Sequence, residues 1–158
     1  MRSHEYKFGT TLIEMVIVVA VIAILVSMVV GVTSRIDKRS KEKGMNNIFT
    51  LLGGALQEYY EYTGKFPEQP EKNFANAAAH SELLLTELRS IPSSRKLLEQ
   101  INDLFLKNKA GAVDTSPEIY DPWGTVLDYI YVKGDTFPKL ISAGPDKVFG
   151  TADDISSK

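Results

Sequence analysis

The chain of 158 residues contains no cysteine. That excludes disulfides, cysteine-ligated zinc and thiol catalysis together. It leaves the compartment open, because a cysteine-free chain suits either redox environment. Histidine is scarce too: His4 and His80 lie far apart and have no companion motif. There is thus no metal-ligating histidine pair, no Ser-His-Asp or Cys-His set, and no phosphate-binding glycine loop. An enzyme is the least favoured class. The formal net charge of −2 lacks the basic excess of a broad nucleic-acid footprint. Proline is absent from 10–63, so nothing in that stretch forbids one long helix.

What is present is unevenly spread. Hydrophobic residues make up 44% of the chain, an ordinary share, but many of them lie between Leu12 and Val32. The run 15–34 carries no charge. It is about the ~20 residues a helix needs to cross hydrocarbon. A cleavable secretory signal would have a shorter apolar region and a small-residue cleavage site. The run is therefore expected to stay in the mature protein as a transmembrane helix. At its entrance stands Glu14. An ionised carboxylate in hydrocarbon costs about 2.5–3.5 kcal/mol on insertion scales, so such a residue is normally paired or functional.

The flank "Gly9-Thr10-Thr11-Leu12-Ile13-Glu14" resembles the processing signature of the type IV pilin-like superfamily. In that family a prepilin peptidase cuts after a glycine, and a glutamate stands fifth in the mature chain. Counted from Thr10, Glu14 is fifth. The short leader 1–9 carries Arg2 and Lys7, as such leaders do. The resemblance implies cleavage between Gly9 and Thr10, and N-methylation of the Thr10 amine by the same peptidase. It also makes Glu14 an assembly residue, pairing with the amine of a neighbouring subunit. The family usually begins with Phe or Met and often has proline at mature position 22; here those residues are Thr10 and Gly31.

Orientation is contested. Simple counting sets Arg2 and Lys7 against Arg35, Lys38, Arg39, Lys41 and Lys43. By the positive-inside rule the C-terminal side then stays in the cytoplasm. The resemblance implies the reverse, with the head exported. A single-span anchored scaffold with a cytoplasmic head thus stays open as an alternative.

Past the apolar run, Met45, Ile48, Leu52, Ala55, Leu56, Tyr59 and Tyr62 recur at three- and four-residue steps. This is one apolar stripe of an amphipathic helix, expected to serve as core. Gly64 and Pro67 mark its end. The expected helix would be roughly 80 Å long at 1.5 Å per residue. A second helix is expected at about 74–91, burying Phe74, Ala77, Ala78, Leu84, Leu85 and Leu88. Pro92 breaks it, and Ser93 or Ser94 can cap a third helix. Leu97, Leu98, Ile101, Leu104 and Phe105 mark the third helix's buried face. "KNKAGAVDTSP" reads as a surface loop. "TVLDYIYV" and "FPKLISA" then read as strands, with "KGDT" as the turn between them.

Asp121-Pro122-Trp123-Gly124 precedes the first of these strands, with Trp123, the only tryptophan, as a core anchor. These four residues look like the DPWG turn of the major pseudopilins of type II secretion. The tail "SAGPDKVFGTADDI" then gathers Asp146, Asp153 and Asp154 in one loop. Calcium takes six to eight oxygens from carboxylates and carbonyls, so three carboxylates suit it, although on composition alone a solvated acidic turn is the better reading. The loop is similar to the calcium loop of the major pseudopilins. That likeness implies Asp146, Asp153 and Asp154 as side-chain ligands, with backbone ligands near Ala143 and Ile155.

The expected fold is α+β: a long N-terminal helix, further helices and a small C-terminal antiparallel sheet. The expected divisions are a leader at 1–9, the transmembrane and assembly half of the helix at 10–34, and an exported head at 35–158. Within the head, 35–110 would be helical and 119–158 would hold the hairpin and acidic loop. The resemblance implies a structural subunit of a type II secretion pseudopilus, anchored in the inner membrane by one span, with its head in the periplasm. Its implied partners are copies of itself, prepilin peptidase, other pseudopilins, the inner-membrane assembly platform and an ATPase; nucleic acid is not among them. A type IV or competence pilus subunit is the alternative within the superfamily, disfavoured by the missing C-terminal cysteine pair.

Overall fold

Helix α1 runs Leu12–Thr63 and carries both apolar tracts of the sequence. It ends where glycine permits a left-handed residue. Gly64 has φ 74° and its N–H donates to the Tyr60 carbonyl at 2.8 Å. The computed structural model describes residues 11–69, 71–108 and 117–157, and the side chains of 28–35 fall outside the description. The chain divides into two units, Met1–Ser40 and Lys41–Lys158.

In the first unit, the side chains of 11–27 are all exposed. Leu12 is 83% exposed and Val18, the least exposed large apolar residue of the tract, is still 47% exposed, so no large apolar side chain there is buried within the chain. Among the described residues, no helix is long and apolar enough to cross a membrane. The expected span reaches residues 28–35, whose side chains are outside the description, and Thr10, which is undescribed.

In the second unit the stripe on α1 is the core. Met45, Ile48, Phe49, Leu52, Ala55, Leu56 and Tyr59 are buried. They pack in one cluster with Leu84, Leu85 and Leu88 of α2 (Ala77–Ser90) and Leu98 of α3 (Pro92–Leu98). The cluster is closed by Ile119, Leu127, Tyr129 and Leu140 from the β region. Burying each such large aliphatic side chain stabilises the fold by about 1.5–3 kcal/mol. Tyr62 does not join them; it is 75% exposed, one turn beyond the last buried residue of the helix.

The second helix is shorter than expected. Asn73 accepts from the Ala75 N–H and starts a single 3-10 turn, Phe74–Asn76, before α2 proper. Phe74 is therefore exposed rather than in the core, and Ala78 is only half-buried. Pro92 does not simply stop this helix. It holds Ile91 in an extended conformation (φ −99°, ψ 123°) and opens α3 at the first helical position, where its missing N–H costs nothing. Neither Ser93 nor Ser94 caps α3, because the cap position is Ile91. Ser94 instead donates its hydroxyl to the Ala55 carbonyl at 2.8 Å, fastening α3 to α1. Leu104 is 70% exposed, since a 3-10 turn at Asp103–Phe105 takes it off the expected face.

The strands form two small antiparallel sheets. β1 (Leu106–Lys107) pairs with β2 (Glu118–Ile119), with Leu106 opposite Ile119. β1 lies inside the tract expected to be helical. β3 (Asp128–Ile130), β4 (Lys139–Ser142) and β5 (Ile155–Ser156) pair in the order β3-β4-β5. The β3–β4 hairpin is the expected one, with Tyr129 opposite Leu140. The "KNKAGAVDTSP" loop lies mostly outside the described residues. The fold is α+β.

Candidate functional sites: the N-terminal turn and the acidic loop

Gly9 and Thr10 lie outside the described residues. Thr11 precedes α1 and supplies its cap. Its hydroxyl oxygen accepts from the Glu14 N–H at 3.4 Å, and its carbonyl accepts from the same N–H at 3.1 Å. Thr-x-x-Glu is the pattern of a capping box. Glu14 sits in the first turn, beside the positive end of the helix, where a carboxylate is favoured by about 0.3–1 kcal/mol. Its side chain is exposed. The residue can thus steady its own helix and still meet a cation from another chain.

Asp121 organises the DPWG turn. Its Oδ1 accepts from the Trp123 N–H at 3.0 Å and the Thr125 N–H at 2.8 Å. Gly124, with φ 90°, makes the reversal that brings Thr125 back. Asp121 Oδ2 accepts from the Ser142 hydroxyl at 2.7 Å, and Ser142 Oγ accepts from the Gly144 N–H at 3.1 Å. One chain of hydrogen bonds therefore runs from the turn, through the end of β4, to the mouth of the acidic loop. Trp123 is half-buried against the core cluster, as an anchor should be.

The loop is closed by its own groups. The Asp146 N–H donates to Asp153 Oδ2 at 3.0 Å, and the Thr151 hydroxyl donates to Asp153 Oδ1 at 2.5 Å. The bond from Thr151, then that from the Asp146 amide, holds the Asp153 carboxyl below the usual range. Asp146 Oδ1 accepts from the Val148 N–H at 2.8 Å, and Asp154 Oδ2 accepts from the Gly150 N–H at 2.7 Å. Gly144 (φ 66°) packs so tightly that a Cβ there would collide with the Asp153 carbonyl. Lys147 takes φ 64°, a conformation that suits glycine better. Asp154 Oδ1 is buried and has no partner among the described residues. No group of three or more acidic or histidine side chains is placed to hold a metal among the described residues. Ala143 is buried at the start of the loop and Ile155 begins β5 at its end.

Sequence reasoning missed three contacts. Phe149, inside the loop, stacks on Phe74 with centroids 4.9 Å apart and planes at 2°. The Tyr59 hydroxyl donates to Glu87 at 2.7 Å; burial, then that bond, pushes the phenol up to about 12. His80 meets Asp128 inside the head. A signal for His80 existed: it lies three residues after Ala77 and four before Leu84, on the buried face of α2.

Two curated relatives match nearly end to end. The type II secretion system core protein G of Escherichia coli (strain K12) is 29% identical over 160 residues, covering 99% of this chain and 94% of the relative. The protein of the same name from Pectobacterium carotovorum subsp. carotovorum is 27% identical, covering 99% and 87%. Over nearly its whole length the chain is thus similar to proteins named as core protein G of type II secretion systems. No family model matches it. Among solved structures, the major pseudopilin from the type 2 secretion system of enterohaemorrhagic Escherichia coli is similar at 20% identity and a TM-score of 0.40, covering 79% of this chain and 87% of that one. A superposition that weak adds nothing to the sequence match.

Proposed function

We propose that this chain is a pseudopilin, a structural subunit of a type II secretion pseudopilus. The match to core protein G over 99% of the chain carries the reading. In it, prepilin peptidase cuts between Gly9 and Thr10 and methylates the new amine. Residues 10–34 hold the subunit in the inner membrane as a single span and then pack against copies of themselves. The exposed apolar side chains of 12–27 support this, since a surface of that kind needs lipid or protein to cover it. Glu14 pairs with the Thr10 amine of a neighbour, which sets the register between subunits. Its exposure in the first turn of α1 supports that role. The head lies in the periplasm, and the assembly platform, other pseudopilins and an ATPase are the partners. The work is mechanical, and no chemical step is assigned to the chain.

We further propose calcium in the acidic loop. Asp146, Asp153 and Asp154, with the carbonyls of Ala143 and Ile155, would hold it. The buried, unpartnered Asp154 Oδ1 is a donor atom in want of a cation, and Asp153 is held ionised by its hydrogen bonds. The ion would supply positive charge to the three aspartates of this one loop, drawing their side chains together, and would stabilise the head by linkage.

Glu14→Gln is the test of the assembly role. It should leave membrane insertion and Gly9 cleavage intact and abolish pseudopili. Normal filaments from the variant would defeat the pairing. For calcium, Asp154→Asn should remove the increase in Tm that calcium gives over chelator in the unmodified chain. No increase in the unmodified chain would remove the ion from the account.

A further inference from the structure

Two polar residues outside the acidic loop reach its entrance, Asp121 and Ser142, and both are buried. The Trp123 and Thr125 N–H groups both donate to Asp121 Oδ1, which fixes the orientation of the carboxyl group. Its Oδ2 accepts from the Ser142 hydroxyl at 2.7 Å. A serine hydroxyl has one proton and two lone pairs. With that proton given to Asp121, Ser142 Oγ faces the Gly144 N–H as an acceptor, at 3.1 Å.

The Gly144 N–H and the Ala143 carbonyl belong to one peptide unit. That unit is trans and planar, so the carbonyl points away from Ser142 Oγ. Fixing one end fixes the other. The next peptide is held as well, because the Gly144 carbonyl accepts from the Lys147 N–H at 3.3 Å. Ser142 also stands opposite Ile155 in the β4–β5 ladder. Both residues assigned as backbone ligands therefore adjoin Ser142, Ala143 along the chain and Ile155 across the ladder. The three aspartates differ, since each accepts from an amide of the loop itself. Their side chains must gather on the ion, whereas the Ala143 carbonyl is oriented from outside the loop.

We propose that Asp121 and Ser142 are positioning residues of the calcium site: through the Gly144 N–H they aim the Ala143 carbonyl before the ion arrives. The inference rests on the calcium reading above and adds to it two residues that touch no ion. Without the Ser142 oxygen, the buried Gly144 N–H loses its acceptor. An unmet buried donor is costly, so the peptide turns to find another partner, and the Ala143 carbonyl turns with it. Partners that orient a ligand in this way are worth about 10–100-fold in metal affinity.

The test is calorimetric titration of calcium into the chelator-treated full chain in detergent micelles. Ser142→Ala should raise the Kd about tenfold or more. Asp121→Asn should raise it by a smaller factor, because the serine oxygen remains. Ser94→Ala removes a buried hydroxyl outside the loop and should leave the Kd unchanged. Equal Kd values for Ser142→Ala and the unmodified chain overturn the positioning role and leave calcium standing. An equal loss in Ser94→Ala also overturns it, since general destabilisation then explains the effect. No calcium uptake by the unmodified chain removes the calcium reading, and this inference with it. If Ser142→Ala does not fold, NMR of an Ala110→Ser background with labelled alanine carbonyls and glycine nitrogens decides. Only the Ala143–Gly144 peptide then gives a signal, since Ala110–Gly111 is the other such pair in the sequence. A Gly144 N–H protected from exchange without calcium, with an Ala143 carbonyl signal that moves when calcium is added, supports the role. A freely exchanging N–H or an unmoved carbonyl signal overturns it.

Discussion

Helix α1 contains two apolar tracts that meet opposite fates. In residues 12–27 every described side chain is exposed, Val and Ile included. From Met45 to Tyr59 the large apolar side chains are buried in the head, apart from Leu51, which is half-buried against the same cluster. The difference lies in the pattern, not in how apolar the residues are. The second tract keeps its apolar residues at three- and four-residue steps and fills the rest with polar ones, so one face can be covered by α2, α3 and the strands. The first is apolar all round, and no single face of a folded head could cover it. Such a helix is satisfied by lipid or by other copies of itself. The first tract is built for an environment, and the second for a fold.

The largest effect expected from this contrast is in the second tract. Leu52→Ala should destabilise the head by about 2–5 kcal/mol in denaturant unfolding, the range for emptying a fully packed leucine site. Val19→Ala should change the same unfolding by less than about 0.5 kcal/mol. Comparable losses from the two substitutions would break the comparison. Gly144→Ala comes next, at about 1–3 kcal/mol, because it forces a side chain into a left-handed backbone position against the Asp153 carbonyl. The damage should centre on the acidic loop, visible as faster amide exchange at Asp146 and Gly150. Ser94→Ala should cost about 1 kcal/mol by removing the bond to the Ala55 carbonyl.

The smallest effect is one of pH. The Tyr59 phenol is raised to about 12, so the folded head holds that proton more tightly than the unfolded chain does. Its contribution is whole below about pH 10, the unfolded value, and is lost as pH rises toward 12. Tyr59→Phe should flatten that part of the alkaline unfolding curve. A curve unchanged by the substitution would mean that the Glu87 contact contributes nothing.

How much of this was legible depended on what each residue's position rests on. The helix stripe, its stop at Gly64 and the β3–β4 hairpin follow from local period and turn chemistry, which a sequence displays. The exposure of Tyr62, Phe74 and Leu104 does not, because it depends on where a helix actually ends or tightens into a 3-10 turn. Ser94 had the right chemistry for a cap but was drawn to a carbonyl on α1, a tertiary preference no local rule contains. β1 and β5 are two residues each, too short for any period to mark them. In the acidic loop, the three aspartates could be read as one site. Their engagement with the loop's own amides, and the stack of Phe149 on Phe74, depend on how the loop closes in space.

The central claim is that the first tract belongs to a processed, membrane-assembled subunit. The most direct test is the N-terminal peptide mass of the membrane-extracted protein, made with and without active prepilin peptidase. The account predicts a chain beginning at Thr10 only when the peptidase is present, with a methyl group on its amine. An intact Met1 leader alongside active peptidase would contradict it.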